Sequence, residues 1–234
     1  MLRSIGKLWE DTGSGEQEVI IEHESLLASA ATVETSLYKR PRRPILLVGE
    51  SGVGKTTLLK VLGRRLSEQG WLIFEAGAKE ILAGQIYMGE LEQRLKTLLE
   101  QISGDRKVLW VVPDLHHLLW AGRHKHSPSR VLELLLPAVE SGEIVTAAEV
   151  TPEAFEVLVQ NIPRIRSAFD NFHVVSSSDA ETQDLAKEWL ERFSSSSMVP
   201  CTFTQAPKNC CGKLSSSPDS TSATSRRRET SCAC

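Results

Sequence analysis

The clearest chemistry in this sequence lies in a glycine-rich segment that runs from Gly49 to Thr56 and reads GESGVGKT. It fits the pattern G-x-x-x-x-G-K-[S/T] at every position. Glycines let the backbone amides of such a loop turn inward and approach phosphate oxygens. Lys55 would then reach the β- and γ-phosphates of a nucleoside triphosphate, and the hydroxyl of Thr56 would hold Mg²⁺. We therefore expect a phosphate-binding loop at this position.

The expected cofactors of this loop are ATP and Mg²⁺, and nine consecutive residues form its predicted nucleotide-binding set. The alternative is a glycine-rich turn that only joins a strand to a helix. The set comprises Gly49, Glu50, Ser51, Gly52, Val53, Gly54, Lys55, Thr56 and Thr57.

The elements around the loop are those that its mechanism requires. Four branched apolar residues, Ile45–Val48, precede it and indicate a strand that is buried on both faces. Leu58, Leu62 and Leu66 follow at helical spacing, and Gly70 is a plausible helix stop. The loop would thus leave the end of a strand and open a helix whose N-terminus points at the phosphates.

Five short apolar segments alternate with helical patterns along the chain. This alternation predicts a parallel α/β sheet with helices on both faces. The predicted strands are 45–48, 71–74, 108–112, 144–147 and 172–175.

The composition is that of a globular protein, with 41% hydrophobic and 24% charged residues among 234. A net charge of −3 argues against a generally basic nucleic-acid binder. No window of 18 apolar residues indicates a membrane span, and the first residues lack the apolar stretch of a secretory signal. We therefore expect a cytoplasmic protein with no membrane or specific nucleic-acid partner.

Four segments, in this order and spacing, resemble the AAA+ ATPase module of Clp-type unfoldases and disaggregases, specifically its first nucleotide-binding module. The likeness extends from about residue 45 to 175. The segments read GESGVGKTTLLKVL from Gly49, AGQIYMGELEQRL from Ala83, LLLPA from Leu134 and SGE from Ser141.

This resemblance implies a P-loop NTPase fold of the AAA+ type, an αβα sandwich with a five-stranded parallel sheet followed by a truncated helical lid. The expected organisation is a leader over 1–40, an ATPase core over 41–176 and the start of the lid over 177–193. A Ser- and Cys-rich tail over 194–234 holds all five cysteines and is predicted to be disordered. As a hypothesis, this tail is a frameshifted or replaced end.

The resemblance places Tyr87 on the pore loop, where hexamers of the family grip an extended polypeptide. Its neighbours Ile86 and Met88 stand where the family usually has Lys and Arg. An exposed aromatic ring can stack on any chain, so Tyr87 is the predicted substrate-binding residue. The alternative is a tyrosine that packs locally before a helix.

The family's acidic strand corresponds to Val108–Val112 and the residues that follow it. The family ends this strand with Asp-Glu-x-His, in which the aspartate supports Mg²⁺ and the glutamate polarises water. Alignment on His116 puts Pro113 and Asp114 in those two positions, whereas alignment on the strand end puts Asp114 and Leu115 there. Either register supplies one carboxylate, so Asp114 is the predicted Mg²⁺ or water ligand and hydrolysis is expected to be slow.

Two further residues complete the predicted catalytic set. Glu149 stands where the family carries a polar sensor, normally Thr or Asn, and a carboxylate there would orient water. The family's arginine pair is replaced by Ser167-Ala168, and Arg164 and Arg166 just before it are candidate fingers that act in trans. We include Arg166 in the catalytic set.

The expected function is ATP binding and slow hydrolysis coupled to remodelling of a protein or peptide substrate, in a homo-oligomeric ring if the lid were intact. A hydrolysis-deficient, nucleotide-dependent scaffold or adaptor is the main alternative, because the acidic pair is incomplete. A different P-loop enzyme, such as a small-molecule kinase, is a third.

Overall fold

The computed structural model describes residues 2–9, 20–40, 42–84, 88–104, 106–121 and 131–196. These residues form one mixed sheet and ten helices. The strands are β1 (Lys7–Leu8), β2 (Ile45–Val48), β3 (Leu72–Glu75), β4 (Val108–Val112), β5 (Val145–Val150) and β6 (Asp170–His173). The helices are α1 (Leu2–Ile5), α2 (Glu24–Leu37), α3 (Lys55–Glu68), α4 (Ala78–Leu82), α5 (Met88–Ile102), α6 (His117–Trp120), α7 (Val131–Glu140), α8 (Pro152–Asn161), α9 (Ile165–Ala168) and α10 (Asp179–Ser196).

The sheet has the strand order β1-β3-β4-β5-β2-β6 within the described residues. The last five are parallel, as predicted, and β1 adds an antiparallel edge to β3 that the sequence did not indicate. β5 lies between β2 and β4, so the strand before the glycine-rich loop and the strand before Asp114 are not neighbours. The fold class is confirmed as a P-loop type α/β sandwich.

The edge strand β6 begins two residues earlier than predicted. The apolar run at Phe172–Val175 suggested a strand there, yet Val175 is 81% exposed and lies beyond the last paired residue. An edge strand is only partly buried, so its apolar residues need not mark its ends. The backbone sets the start instead, because the Asp170 N–H donates to the Pro44 carbonyl at 2.8 Å.

Alternate residues of β2 enter two different apolar layers. Leu46 and Val48 join a cluster with α5, α7 and α8, whereas Ile45 and Leu47 join one with α2 and α3. All four are at most 2% exposed. This explains the unbroken apolar run in the sequence, since a central parallel strand is covered by helices on both faces.

The first described residues pack on the sheet rather than standing apart from it. Trp9 lies over Gly63 of α3, where an added Cβ would come within 2.4 Å of its ring. Its indole Nε1 donates to the Glu75 carboxylate at 2.6 Å, at the end of β3. Within the described part of residues 1–40, α1, β1 and α2 all contribute buried residues to the core. The boundary at residue 41 stays a prediction.

A polar contact joins α2 to the edge of the sheet. Ser36 is 1% exposed, and its hydroxyl donates to the Asp170 carboxylate at 2.7 Å. Arg43 forms an ion pair with the same carboxylate at 3.2 Å. The buried hydroxyl is therefore satisfied, which avoids the cost of an unpaired polar group.

The helix predicted from Asp179 is present and extends to Ser196. Residues 197–234 lie outside the described residues, so the expected disorder of the tail stays a prediction. No described helix combines the length and apolar character needed to cross a membrane.

Replacement of Leu62 by alanine should lower the free energy of unfolding by about 2–5 kcal/mol. Leu62 is fully buried under the sheet, and its loss leaves a cavity. The matched control is Leu134→Ala in α7, because Leu134 is 36% exposed and should cost much less. Urea unfolding of the two variants tests this, and equal losses would contradict the packing described here.

Candidate nucleotide site

The glycine-rich loop leaves the carboxyl end of β2 and leads into α3. Gly49 extends the pairing with β5, because its N–H donates to the Val150 carbonyl at 3.2 Å. Ligands of open α/β sheets bind at this edge, where the strands end. The predicted strand, loop and helix are therefore present in the expected order.

Three positions of the loop require glycine, one because another backbone approaches closely and two because of their backbone conformation. At Gly49 an added Cβ would lie 2.4 Å from the Val174 carbonyl oxygen, so the backbones approach too closely for a side chain. Gly52 and Gly54 have φ of +84° and +95°, which other residues rarely adopt. A Cβ at these two positions would meet nothing within 4 Å, so the loop faces open space that a ligand can enter.

Lys55 is the first residue of α3 and is 9% exposed. Its ammonium donates to the carbonyls of Gly49 and Glu50, both at 2.7 Å. The side chain therefore folds back over the loop that it would serve. An ammonium held there adds positive charge to the positive end of the helix dipole.

Thr56 and Glu149 meet across the edge of the sheet. The Thr56 hydroxyl lies 3.1 Å from Oε1 and 2.9 Å from Oε2 of Glu149, and it donates to this carboxylate. Glu149 is on β5, where it pairs in register with Leu47 of β2. The structure thus brings two predicted site residues, 93 positions apart in sequence, into direct contact.

Burial raises the pKa of the Glu149 carboxyl above its ordinary value. The hydrogen bond from Thr56 and the charge of Lys55 oppose that rise, whereas the carboxylates of Asp114 and Glu75 add to it. These four residues therefore lie within electrostatic reach of Glu149. Perturbed carboxyl groups in clefts are typical of functional sites.

Asp114 follows β4 after Pro113 and has φ of +48°, a left-handed conformation that is uncommon for residues other than glycine. Its side chain is exposed, and its carbonyl accepts the His117 N–H at 2.9 Å. The next residue, Leu115, is 2% exposed and belongs to the apolar core. Asp114 is therefore the carboxylate available at the end of this strand.

Arg166 lies away from this cluster. It belongs to α9, which precedes β6, so it sits at the edge where the strands begin, opposite the glycine-rich loop. Its guanidinium forms an exposed ion pair with Glu156 at 3.6 Å. The structure does not bring Arg166 to the loop of its own chain, and its role as a finger in trans stays a prediction.

Tyr87 and its neighbours Gln85 and Ile86 lie outside the described residues. The flanking chain is anchored by Arg94 of α5, whose guanidinium donates to the carbonyls of Glu80 and Ala83, both at 3.0 Å. These bonds hold the end of α4 against α5. The role of Tyr87 stays a prediction.

A cleft of about 860 Å³ adjoins the glycine-rich loop. Beyond the loop it is lined by the segment before α2, by the end of β6 and by α10, including Ile20, His23, Phe172, Leu185 and Trp189. Sequence reasoning missed this lining, since it treated the first 40 residues as a leader. The only available signal was the apolar pattern of Leu185 and Trp189 on the predicted last helix.

The groups at this site fit a triphosphate with a divalent cation. Two glycines with positive φ open the loop, an ammonium lies over it, and a hydroxyl and a carboxylate stand at the start of the helix. Hard oxygen ligands of this kind suit Mg²⁺. Together with the strand order, these features define a P-loop nucleotide-binding protein.

Comparison with known proteins specifies the class further. Residues 30–127 match the model of the AAA ATPase domain family. The chaperone protein ClpB 2 of Parasynechococcus marenigrum is 28% identical over 170 residues, which cover 69% of this chain and 18% of the relative. The chloroplastic chaperone ClpC2 of rice is 26% identical over 164 residues, which cover 67% of this chain and 18% of the relative.

Solved structures agree in fold. The S. cerevisiae Hsp104–ADP complex matches with a TM-score of 0.67 at 19% identity, over 84% of this chain and 34% of that one. The S. cerevisiae Hsp104–casein complex in its extended conformation matches with a TM-score of 0.64 at 20% identity, over 74% of this chain and 30% of that one. Residues 30–127 are therefore similar to the AAA ATPase domain, and Clp-type chaperones are among the homologues of this chain, which confirms the resemblance seen in the sequence. The chain spans about a fifth of the length of these curated relatives.

Gly49→Ala should weaken both stability and nucleotide binding, because the added methyl group would collide with the backbone carbonyl of Val174. The expected loss of stability is about 1–3 kcal/mol, the usual cost of overpacking. Gly89→Ala is the control, since a Cβ there meets nothing within 4 Å and alanine suits a helix. Thermal melts with and without ATP measure both effects, and a Gly49→Ala variant that melts like the control would refute the close approach.

Proposed function

We propose that this chain binds ATP with Mg²⁺ and hydrolyses it slowly to ADP and phosphate, and that this cycle drives the remodelling of a protein substrate. The observation that carries the proposal is the contact geometry at the glycine-rich loop. An open loop, the Lys55 ammonium and the Thr56–Glu149 pair converge at the N-terminus of α3. An AAA ATPase domain implies nucleotide binding of this kind.

The cleft beside the loop suits the rest of the nucleotide. Its volume lies in the range of small-molecule sites, and it combines apolar side chains with a few polar groups. Phosphates at the loop amides would leave the nucleoside between the segment before α2 and helix α10. The base would then contact residues such as Ile20 and Trp189, which line that part of the cleft.

Hydrolysis requires a carboxylate that orients water and accepts its proton as the bond between the β–γ bridging oxygen and the γ-phosphorus breaks. Asp114 and Glu149 are the candidates among the described residues at this edge of the sheet. The loss of one such group typically costs about 10²–10⁴-fold in rate, so we expect slow turnover from an incomplete pair. When bound, Mg²⁺ neutralises charge on the phosphates.

Arg166 serves, in this proposal, as a finger that reaches the nucleotide of a neighbouring copy. Its exposed position opposite its own loop is consistent with that role. An arginine supplied in trans stabilises the charge of the transition state. A homo-oligomeric ring is therefore part of the proposal.

The protein-substrate part of the proposal starts from a structure of similar fold. One structure of similar fold, that of Hsp104, holds casein. We extend this to the present chain through Tyr87, whose ring would contact an extended polypeptide without regard to its sequence. The flanking Ile86 and Met88 favour an apolar grip over a charged one.

A nucleotide-dependent scaffold without turnover is the second candidate function. It is favoured by the end of β4, where Leu115 is buried in the core and Asp114 is the one carboxylate. A domain of this kind would bind ATP, change conformation and recruit partners.

Lys55→Ala should weaken ATP binding at least about tenfold, because hydrogen bonds to charged groups contribute about 1.5–3 kcal/mol. Fluorescent-ATP titration measures this, with Lys96→Ala on the exposed face of α5 as the charge-matched control. Tight binding by the Lys55→Ala variant would contradict the proposed site.

Asp114→Asn should bind ATP but release phosphate about 10²–10⁴-fold more slowly than the natural chain. Steady-state and single-turnover hydrolysis separate the two candidate functions. If the natural chain binds ATP and neither protein hydrolyses it, the scaffold is the correct function and the ATPase proposal is wrong.

Tyr87→Ala should abolish the stimulation of phosphate release by casein, whereas Tyr87→Phe should retain it. The aromatic ring, rather than the hydroxyl, makes the expected contact. Basal phosphate release without casein serves as the internal reference. Equal stimulation of both variants would remove Tyr87 from the substrate site.

A further inference from the structure

The carboxylate in contact with Thr56 is not the one that sequence comparison would choose. The resemblance assigns Mg²⁺ support to an aspartate that follows β4. In the structure, the carboxylate within hydrogen-bond distance of the Thr56 hydroxyl is that of Glu149, on β5.

The strand order explains why Glu149 is the nearer group. β5 is hydrogen-bonded to β2, so Glu149 stands one strand from the strand that carries the loop. β4 lies one strand further, and neighbouring strands are about 4.8 Å apart. A carboxylate after β4 therefore starts one strand further from the strand that carries the loop than Glu149 does.

The spacing of the two groups matches a shared metal ligand set. Mg²⁺ prefers octahedral coordination with bonds of about 2.0–2.1 Å, so two adjacent oxygen ligands lie about 2.9–3.0 Å apart. The Thr56 oxygen is 2.9 and 3.1 Å from the two Glu149 oxygens. Both oxygens could therefore coordinate one ion with little movement of their side chains.

The local charge also favours a cation. The carboxylates of Asp114 and Glu75 both lie within electrostatic reach of Glu149, and Lys55 is the cation among the groups that act on it. Two of the Lys55 donors are already directed to loop carbonyls. A divalent ion between Thr56 and Glu149 would offset the excess of negative charge before triphosphate adds more.

We propose that Glu149 and Thr56 together supply the protein ligands of Mg²⁺ at the nucleotide site, with Glu149 in the role that the resemblance gives to Asp114. This inference rests on the proposed ATP binding. Mg²⁺ at nucleotide sites is commonly held by one or two protein oxygens, with phosphate oxygens and waters as the other ligands. Asp114 is left to act on water rather than on the metal.

The test compares ATP affinity in EDTA with affinity in Mg²⁺, measured by calorimetry on the full chain. Glu149→Gln should lose at least about tenfold of the gain that Mg²⁺ brings, the usual scale for damage to a metal site. Its affinity in EDTA should be equal or higher, since a negative charge near the phosphates is gone. Asp114→Asn should keep most of the Mg²⁺ gain. Glu143→Gln is the charge-matched control, because Glu143 is an exposed carboxylate just before the first residue of β5, at the end of the strand away from the loop.

A second readout observes the metal directly. With Mn²⁺ in place of Mg²⁺, loss of a protein ligand admits another water, so Glu149→Gln should increase water-proton relaxation in the ATP complex. Glu149→Asp keeps the charge but shortens the side chain by one methylene. Its water-proton relaxation should lie between that of the natural chain and that of Glu149→Gln. If Glu149→Gln does not fold, Glu149→Asp and Asp114→Asn still decide the question.

The inference is overturned if Glu149→Gln keeps the full Mg²⁺ gain and an unchanged relaxation, or if Asp114→Asn loses them instead. In either case ATP binding itself would stand. Failure of the natural chain to bind ATP under both conditions would overturn the proposed function together with this inference.

Discussion

The parallel pairing of β2 with β5 is the interaction on which the rest of the site depends. It continues past the end of β2, where the Gly49 N–H still donates to β5 at Val150. This pairing fixes the exit direction of the glycine-rich loop and stands Glu149 beside it. Both strands are covered by helices on each face, so a slip of one residue would exchange side chains between the two buried layers and disrupt the packing of both. The geometry of Thr56 and Glu149 is thus set by the core rather than by the loop.

The site is organised by internal contacts that a ligand would replace or share. The Lys55 ammonium is held by two carbonyls of its own loop, and the Thr56 hydroxyl is held by a carboxylate. Such contacts restrict side chains that would otherwise lose rotamer freedom on binding, so part of the entropic cost is met during folding. The same contacts create competition, since a phosphate must draw the ammonium away from the carbonyls.

The residues around the cleft come from both ends of the described chain. The segment before α2 and helix α10 both line the cleft beside the loop, while Trp9 and Glu75 tie the first residues to the far edge of the sheet. A contribution from residues 20–26 was not evident from their weak apolar pattern. Several of these residues line the cleft, and Leu26 is the one among them that is buried in the core, so no strong periodicity marks the segment.

The sequence by itself determined the phosphate loop, the five parallel strands and the two-sided burial of β2, because these depend on local spacing and on unbroken apolar runs. It also identified Glu149 and Asp114 as carboxylates of interest, and it assigned support of Mg²⁺ to Asp114 and the orientation of water to Glu149. Only the tertiary structure decided that Glu149, rather than Asp114, contacts Thr56, and that Arg166 lies at the opposite edge of the sheet. The reason is physical: strand order is set by long-range packing, and residues 93 positions apart become neighbours only when β5 inserts between β2 and β4.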